Sequence, residues 1–170
     1  MLGDPIPRYH RTHHRHGASV WQAGLNQTTQ AGSKLEHMQN IPLISVVDDD
    51  QSVVEGIVSL MESVGYAAKG FCSAEDFLNS PQLRHTACLI LDVRMPGIGG
   101  LELQRRLAAA NDRTPIIFIT AHGDHDISAE ALRRGAVAFL GKPFSQEPLF
   151  DAVRSALAQR GGPAERERRN

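Results

Sequence analysis

Four apolar segments of the chain each end in side chains that can do chemistry: the acidic residues 48–50, Asp92, Thr120 and Lys142. Three carboxylates in a small volume raise each other's pKa values unless a cation neutralises them. Oxygen ligands that include one or two carboxylates are the set that Mg²⁺ prefers. A hydroxyl and an ammonium beside such a metal add donors for the oxygens of a phosphoryl group. If the fold brings these groups together, they predict phosphoryl transfer to a carboxylate.

The segment around Asp92 predicts how this carboxylate is presented. Residues 88–91 are apolar without alternation, and Pro96 and Gly97 turn the chain shortly afterwards. This pattern is typical of a parallel strand that is buried on both faces. Because ligands of open parallel sheets lie beyond the carboxyl ends of the strands, we expect Asp92 at the functional site.

Five strands alternate with five helices between residues 41 and 160. Strands are predicted at residues 43–47, 66–71, 88–91, 116–120 and 136–140, and helices begin at Ser52, Ser73, Gly99, Asp124 and Ser145. Ser52 and Glu55 match a capping box, and Gly65 supplies the left-handed residue that ends the first helix. The alternation predicts an α/β three-layer sandwich around a parallel sheet.

Composition and charge exclude several classes of protein. The net charge is −1, and residues 41–160 hold 15 acidic against 11 basic residues, so the core has no basic face for nucleic acid. No apolar run approaches the ~20 residues of a membrane span, and the first ten residues lack a signal-peptide pattern. We therefore expect a cytoplasmic protein. Cys72 and Cys88 have no CxxC spacing, which argues against a disulfide or a zinc site.

The flanking segments have no helical or strand periodicity. Residues 1–40 are predicted to be a disordered histidine-rich tail, residues 41–160 the folded domain, and residues 161–170 a charged stub. The tail's clustered histidines lack carboxylate or cysteine partners, so no dedicated metal site is expected there. Because Met38 lies just before the first strand, an overextended reading frame with a start at Met38 is left open as an alternative.

The order and spacing of four segments resemble the response-regulator receiver domain of the CheY-like family. These segments are the acidic residues 48–50, LDVRMPG from Leu91, FITAHGD from Phe118 and GKPF from Gly141. The resemblance covers about residues 41–160. It implies a flavodoxin-like fold with a five-stranded parallel sheet of order 2-1-3-4-5.

The resemblance also implies a role for each acid. Asp92 is expected to accept the phosphoryl group. Asp48 and Asp49 are expected to hold Mg²⁺, with Asp49 as the direct ligand and Asp48 acting through water. The backbone carbonyl of Arg94 would complete the protein's share of the coordination. Asp50 is expected to face water.

Three further residues would respond to phosphorylation. Lys142 would pair with a phosphoryl oxygen, and the peptide bond before Pro143 is expected to be cis. Thr120 would be the switch hydroxyl and Phe139 the aromatic switch, although a strand aromatic such as Phe139 is also explained by packing. His122 and His125 are expected to line the loop or the start of the fourth helix, and His122 and Arg94 would border the site.

By the same resemblance, the protein is expected to receive a phosphoryl group from a histidine kinase or a histidine phosphotransfer protein. The switched face would comprise the fourth helix, fifth strand and fifth helix, and a homodimer could form through it on phosphorylation. We expect autophosphorylation and slow self-dephosphorylation, not a turnover enzyme. A haloacid-dehalogenase-like phosphatase would need a second acid where this chain has Arg94.

The output function is left open by the sequence. The motifs of the core resemble those of receiver domains that precede a LuxR-type helix-turn-helix domain. Such a domain would need about sixty further residues. We therefore expect a protein that acts through protein contacts, or as a phosphoryl sink, or a shortened transcriptional regulator, and DNA binding by this chain alone is not expected.

Overall fold

The structure is a computed structural model that describes residues 41–121 and 125–160, with the backbone alone for residues 125–127. The expected tail and stub and His122 lie outside the described residues. Strands and helices alternate along the chain in the order β1 (Leu43–Val47), α1 (Gln51–Ser63), β2 (Ala67–Phe71), α2 (Ala74–Leu78), a 3-10 helix (Pro81–His85), β3 (Thr86–Asp92), α3 (Gly100–Ala109), β4 (Ile116–Thr120), α4 (His125–Arg133), β5 (Ala138–Gly141) and α5 (Gln146–Arg160).

The five strands form one parallel sheet in the order β2-β1-β3-β4-β5, which confirms the predicted fold. The three inner strands are the apolar runs, and every residue of β3 and β4 is buried. The edge strands β2 and β5 are partly exposed. The strand order reverses between β1 and β3, and such a switch point opens a crevice at the carboxyl ends of the strands.

Alternate residues of β3 enter two separate cores, as the two-residue period of a strand requires. Leu89 and Leu91 contribute to the first core, and Cys88 and Ile90 to the second. Helices α2, α3 and α4 close the first core with Phe77, Leu103, Leu107 and Ala131. Helices α1 and α5 close the second core with Ile57, Met61, Leu149 and Val153. The sheet therefore lies between two helical layers.

Several predicted element boundaries were wrong: β2 begins at Ala67 and not at residue 66, and β3 spans Thr86–Asp92 and not residues 88–91. Two other differences have a clear physical reason. The N-cap of α1 is Asp50, whose carboxylate accepts the backbone N–H of Ser52 at 2.9 Å, so Ser52 lies inside the helix. Aspartate is as good an N-cap as serine, and Asp50 comes first along the chain. The fifth strand begins at Ala138 because Ala136 still donates its N–H to Ala131 at the end of α4, 3.0 Å away.

Other local predictions hold. Gly65 has φ +91° after α1, and Ser73 caps α2 by accepting the N–H of Asp76. The 3-10 helix at Pro81–His85 was not predicted. No helix within the described residues combines the length and the hydrophobicity that crossing a membrane requires.

Candidate functional site

The strand register brings the predicted site residues to one edge of the sheet. Val47 of β1 pairs with Leu91 of β3, so the next residues, Asp48 and Asp92, lie side by side. Thr120 of β4 pairs with Gly141 of β5, which places Lys142 directly beyond that pair. Because parallel strands all end at the same edge, residues far apart in the sequence meet here.

Three of the predicted site residues at this edge are buried. Asp48 is 1% exposed, Asp92 5% and Thr120 3%. The backbone N–H of Asp48 donates to the carbonyl oxygen of Phe71 at the end of β2, 3.2 Å away. The backbone N–H of Lys142 donates to the Thr120 carbonyl at 2.6 Å. The site is therefore built on the ends of the strands and on the residues that extend them.

The ammonium of Lys142 joins the two buried carboxylates. Its Nζ donates to Asp48 Oδ2 at 2.5 Å and to Asp92 Oδ1 at 2.8 Å. Burial acts to lower the pKa of Lys142, but the hydrogen bonds and charges of Asp48 and Asp92 outweigh it and raise the pKa above its ordinary value. Lys142 therefore stays charged at neutral pH and neutralises part of the acidic site.

Asp92 is held at both of its oxygens. Oδ1 accepts from Lys142, and Oδ2 accepts the backbone N–H of Arg94 at 2.7 Å. Burial raises the pKa of Asp92 above its ordinary value, and the negative charge of Asp48 adds to this, whereas the bonds from Lys142 and Arg94 act to lower it. Ionised Asp92 is thus a desolvated carboxylate in a fixed orientation.

The three neighbouring acids have different environments. Asp48 is buried against Lys142, Asp49 is exposed, and Asp50 is exposed and caps α1. The exposure of Asp50 confirms its expected position. The pairing of Asp48 with Lys142 was not predicted from the sequence.

The chemistry of the donors fits a hard divalent cation. Asp48 and Asp92 share one ammonium, so their charges exceed the positive charge beside them, and their donors are all oxygens. Asp49, the residue after Asp48, is exposed. In the described part of the chain, however, no three His, Cys, Asp or Glu side chains are already arranged around a metal position. Lys142 occupies the space between the two buried acids.

Phe139 packs on the first core beside the site. It lies opposite Phe118 in the β4–β5 register, and the two ring centroids are 6.1 Å apart. Phe139 is half-buried, whereas Phe118 is fully buried. The Lys142–Pro143 peptide bond is cis, as expected. The side chains of His122 and His125 lie outside the described residues, and the Arg94 side chain is exposed.

A carboxylate that was not predicted from the sequence contacts the loop after Asp92. Glu75 of α2 accepts the backbone N–H of Ile98 on its Oε1 at 3.1 Å. Glu75 lies 23 residues earlier in the chain, and nothing in its local pattern distinguishes it from an ordinary first-turn acid.

The family model for the response regulator receiver domain matches residues 44–154, which is more than half of the chain. The chain belongs to the response regulator receiver domain family. The matched family is a receiver domain and not a family of enzymes. Membership of this family accounts for the parallel sheet of order β2-β1-β3-β4-β5.

Two curated relatives of this receiver domain are longer proteins than this chain. The response regulator protein TmoT of Ectopseudomonas mendocina is 47% identical over 115 residues, covering 68% of this chain and 52% of TmoT. TodT of Pseudomonas putida is 44% identical over 124 residues, covering 72% of this chain and 55% of TodT. The structure of the response regulator StyR has a TM-score of 0.67 and 44% identity, covering 75% of this chain and 63% of StyR. The chain spans about half the length of the curated relatives it matches.

Proposed function

We propose that this receiver domain works in a phosphorelay and accepts a phosphoryl group on Asp92. The observation that supports this is the shared ammonium: Lys142 holds Asp92 and Asp48 together at the edge where the strand order reverses. The donor would be a histidine kinase or a histidine phosphotransfer protein, and we place the reaction in the cytoplasm.

In the proposed transfer, a carboxylate oxygen of Asp92 forms a P–O bond while the P–N bond of the donor's phosphohistidine breaks. The bonding electrons leave with the histidine nitrogen. Lys142 exchanges a carboxylate oxygen for a phosphoryl oxygen, and the N–H of Arg94 keeps Asp92 oriented during the transfer. The domain contributes mainly positioning and charge neutralisation, which is what phosphoryl transfer requires.

Mg²⁺ is the proposed cofactor. Asp48, Asp49, Asp92 and the backbone carbonyl of Arg94 would hold it, with Asp49 as the direct ligand and Asp48 acting through water. When bound, the ion would neutralise charge on the transferred group. Autophosphorylation from a small phosphodonor and slow self-dephosphorylation would take place at this same site.

The proposed switch starts from the charge that phosphorylation adds, about −1.5 to −2 at neutral pH. Thr120 would move toward the phosphoryl group, and Phe139 would turn inward against Phe118. The change would reach the face formed by α4, β5 and α5, through which a homodimer could form. The output would then be delivered by a LuxR-type DNA-binding domain or by protein contacts alone. Alternatively, the domain would act as a phosphoryl sink.

The test is Mg²⁺-dependent phosphorylation by acetyl phosphate and by a phosphorylated histidine phosphotransfer protein, with intact mass as the readout. We expect one phosphoryl adduct in the wild type and in Asp151→Asn, a control for loss of an exposed acid on α5. No adduct is expected in Asp92→Asn or without Mg²⁺. An adduct that survives in Asp92→Asn would show that another residue is the acceptor, and a folded wild type that neither donor phosphorylates would refute the proposal.

The switch has its own test. Thr120→Ala should still be phosphorylated, but phosphorylation should no longer change hydrogen exchange in α4, β5 and α5. If phosphorylation changes hydrogen exchange in Thr120→Ala as much as in the wild type, the switch depends on another group.

A further inference from the structure

The loop of residues 93–99 connects Asp92 to α3 and is fastened at both ends. At its start, the N–H of Arg94 donates to the Asp92 carboxylate at 2.7 Å. At its end, the N–H of Gly100 donates to the Val93 carbonyl at 3.0 Å. Gly100 packs so closely that a Cβ there would lie 2.2 Å from the Asp92 carbonyl oxygen. These contacts leave the middle of the loop to be held by other elements.

Glu75 makes a polar contact with that middle part. Its Oε1 accepts the N–H of Ile98 at 3.1 Å. Gly97 has φ +71°, and a Cβ built on it would lie 2.7 Å from the same Oε1. The carboxylate thus rests directly on the loop backbone, in space that any side chain at position 97 would fill.

Glu75 is itself on a firmly placed element. The helix α2 buries Ala74 and Phe77 in the first core, where Met95 of the loop is also buried. Ser73 caps the helix by accepting the N–H of Asp76 at 3.0 Å. Because α2 and the loop pack into the same core, Glu75 is held where its carboxylate can accept the N–H of Ile98.

We propose that Glu75 is a positioning residue that holds the 93–99 loop in the conformation that presents the backbone of Arg94 to Asp92 and to the divalent cation. The inference rests on the proposed function, since the carbonyl of Arg94 matters only if the site binds a metal. Without the carboxylate, the Ile98 N–H loses its acceptor and the loop populates other conformations. If the metal binds only the original loop conformation, its apparent affinity falls in proportion to the fraction of the protein that adopts this conformation.

Four variants separate positioning from charge. Glu75→Ala removes the acceptor, and Glu75→Asp keeps the charge but shortens the side chain by one methylene. Glu75→Gln keeps both the reach and an acceptor oxygen without the charge. Asp76→Ala is the matched control, because Asp76 is an exposed acid in the same helical turn as Glu75.

The experiment measures the initial rate of acetyl-phosphate phosphorylation against Mg²⁺ concentration, with Mg²⁺ binding by calorimetry. For Glu75→Ala and Glu75→Asp we expect half-saturating Mg²⁺ to rise about fivefold while the rate at saturating Mg²⁺ changes by less than about twofold. Glu75→Gln and Asp76→Ala should stay within about twofold of the wild type. Hydrogen exchange of the segment 94–99 should rise in Glu75→Ala and not in Glu75→Gln.

The outcomes are distinguishable. If the wild type is not phosphorylated, the proposed function itself fails. If the wild type is phosphorylated and Glu75→Ala needs no more Mg²⁺ than the wild type, this inference alone fails. If Glu75→Gln is as impaired as Glu75→Ala, the charge of Glu75 acts and not its hydrogen bond. A merely structural role would lower the melting temperature of Glu75→Ala without changing half-saturating Mg²⁺, and that result also overturns the inference.

Discussion

Replacing Lys142 by methionine removes the one charge that two buried carboxylates share. The Nζ atom lies 2.5 Å from Asp48 Oδ2 and 2.8 Å from Asp92 Oδ1. The side chains of these acids are 1% and 7% exposed, whereas that of Lys142 is 23% exposed. Lys142→Met replaces the charged end by an unbranched apolar side chain that is one atom shorter, so the variant tests mainly the charge.

The expected loss of stability follows from this geometry. Removing one partner of a buried ion pair costs about 3–5 kcal/mol, because the other charge is left uncompensated. In Lys142→Met two carboxylates remain, and they repel each other across at most about 5 Å. Because Lys142 is partly exposed and water can enter at the rim, we discount the cost to about 2–3 kcal/mol at pH 7 without divalent cations.

The assay is urea unfolding at pH 7, with Lys69→Met as the matched control, since Lys69 is an exposed lysine on β2. The control should stay within about 0.5 kcal/mol of the wild type. In an Asp92→Asn background, Lys142→Met should cost much less, because one of the two carboxylates is already neutral. Saturating Mg²⁺ should restore part of the lost stability by binding to the folded state.

Two results would refute this reasoning. Lys142→Met could prove as stable as Lys69→Met, which would mean that solvent already screens the two acids. The cost could also be the same with and without Asp92→Asn, which would mean that Lys142 does not interact with Asp92 in solution.

Three further predictions concern the pH dependence, the packing and the thiols. Burial raises the pKa of Asp92 above its ordinary value of 3.8, so the folded protein binds this proton more tightly than the unfolded chain, and ionisation of Asp92 with rising pH destabilises the fold. Asp92→Asn should therefore unfold at higher urea concentration than the wild type at pH 7 and lose this advantage as the pH falls toward 3.8; equal midpoints at pH 7 would contradict this. Gly100→Ala, whose Cβ would lie 2.2 Å from the Asp92 carbonyl oxygen, should lower the free energy of unfolding by about 1–3 kcal/mol. Gly56→Ala, at an open position of α1, should raise it by about 0.5–1 kcal/mol, and an unaffected Gly100→Ala would argue against the close approach. Iodoacetamide should label the exposed Cys72 in the folded protein and leave Cys88 unlabelled, since burial raises the pKa of Cys88 to about 12. Peptide mass spectrometry reports both sites, and labelling of Cys88 at the rate of Cys72 would disprove its burial.

Strand bounds could be predicted from the sequence where the residues fit only a buried central strand. The predicted bounds of β1 and β4 match the structure, because both are short runs rich in β-branched residues, as is typical of a central parallel strand. The edge strand β5 was placed two residues too early, since an edge strand is only half-buried and its first residues were still needed to end α4. The predicted N-cap of α1 was wrong because aspartate and serine are about equally favourable N-caps, so the sequence does not decide between Asp50 and Ser52.

The sequence by itself determined that Asp48, Asp92, Thr120 and Lys142 share one edge, because parallel strands separated by helices must all end on the same side of the sheet. It also determined the family, through the spacing of those residues. Only the tertiary structure decided that Asp48, and not Asp49, contacts Lys142, and that Glu75 reaches Ile98. These contacts join residues 94 and 23 positions apart, so they depend on strand register and helix packing, which no local pattern encodes.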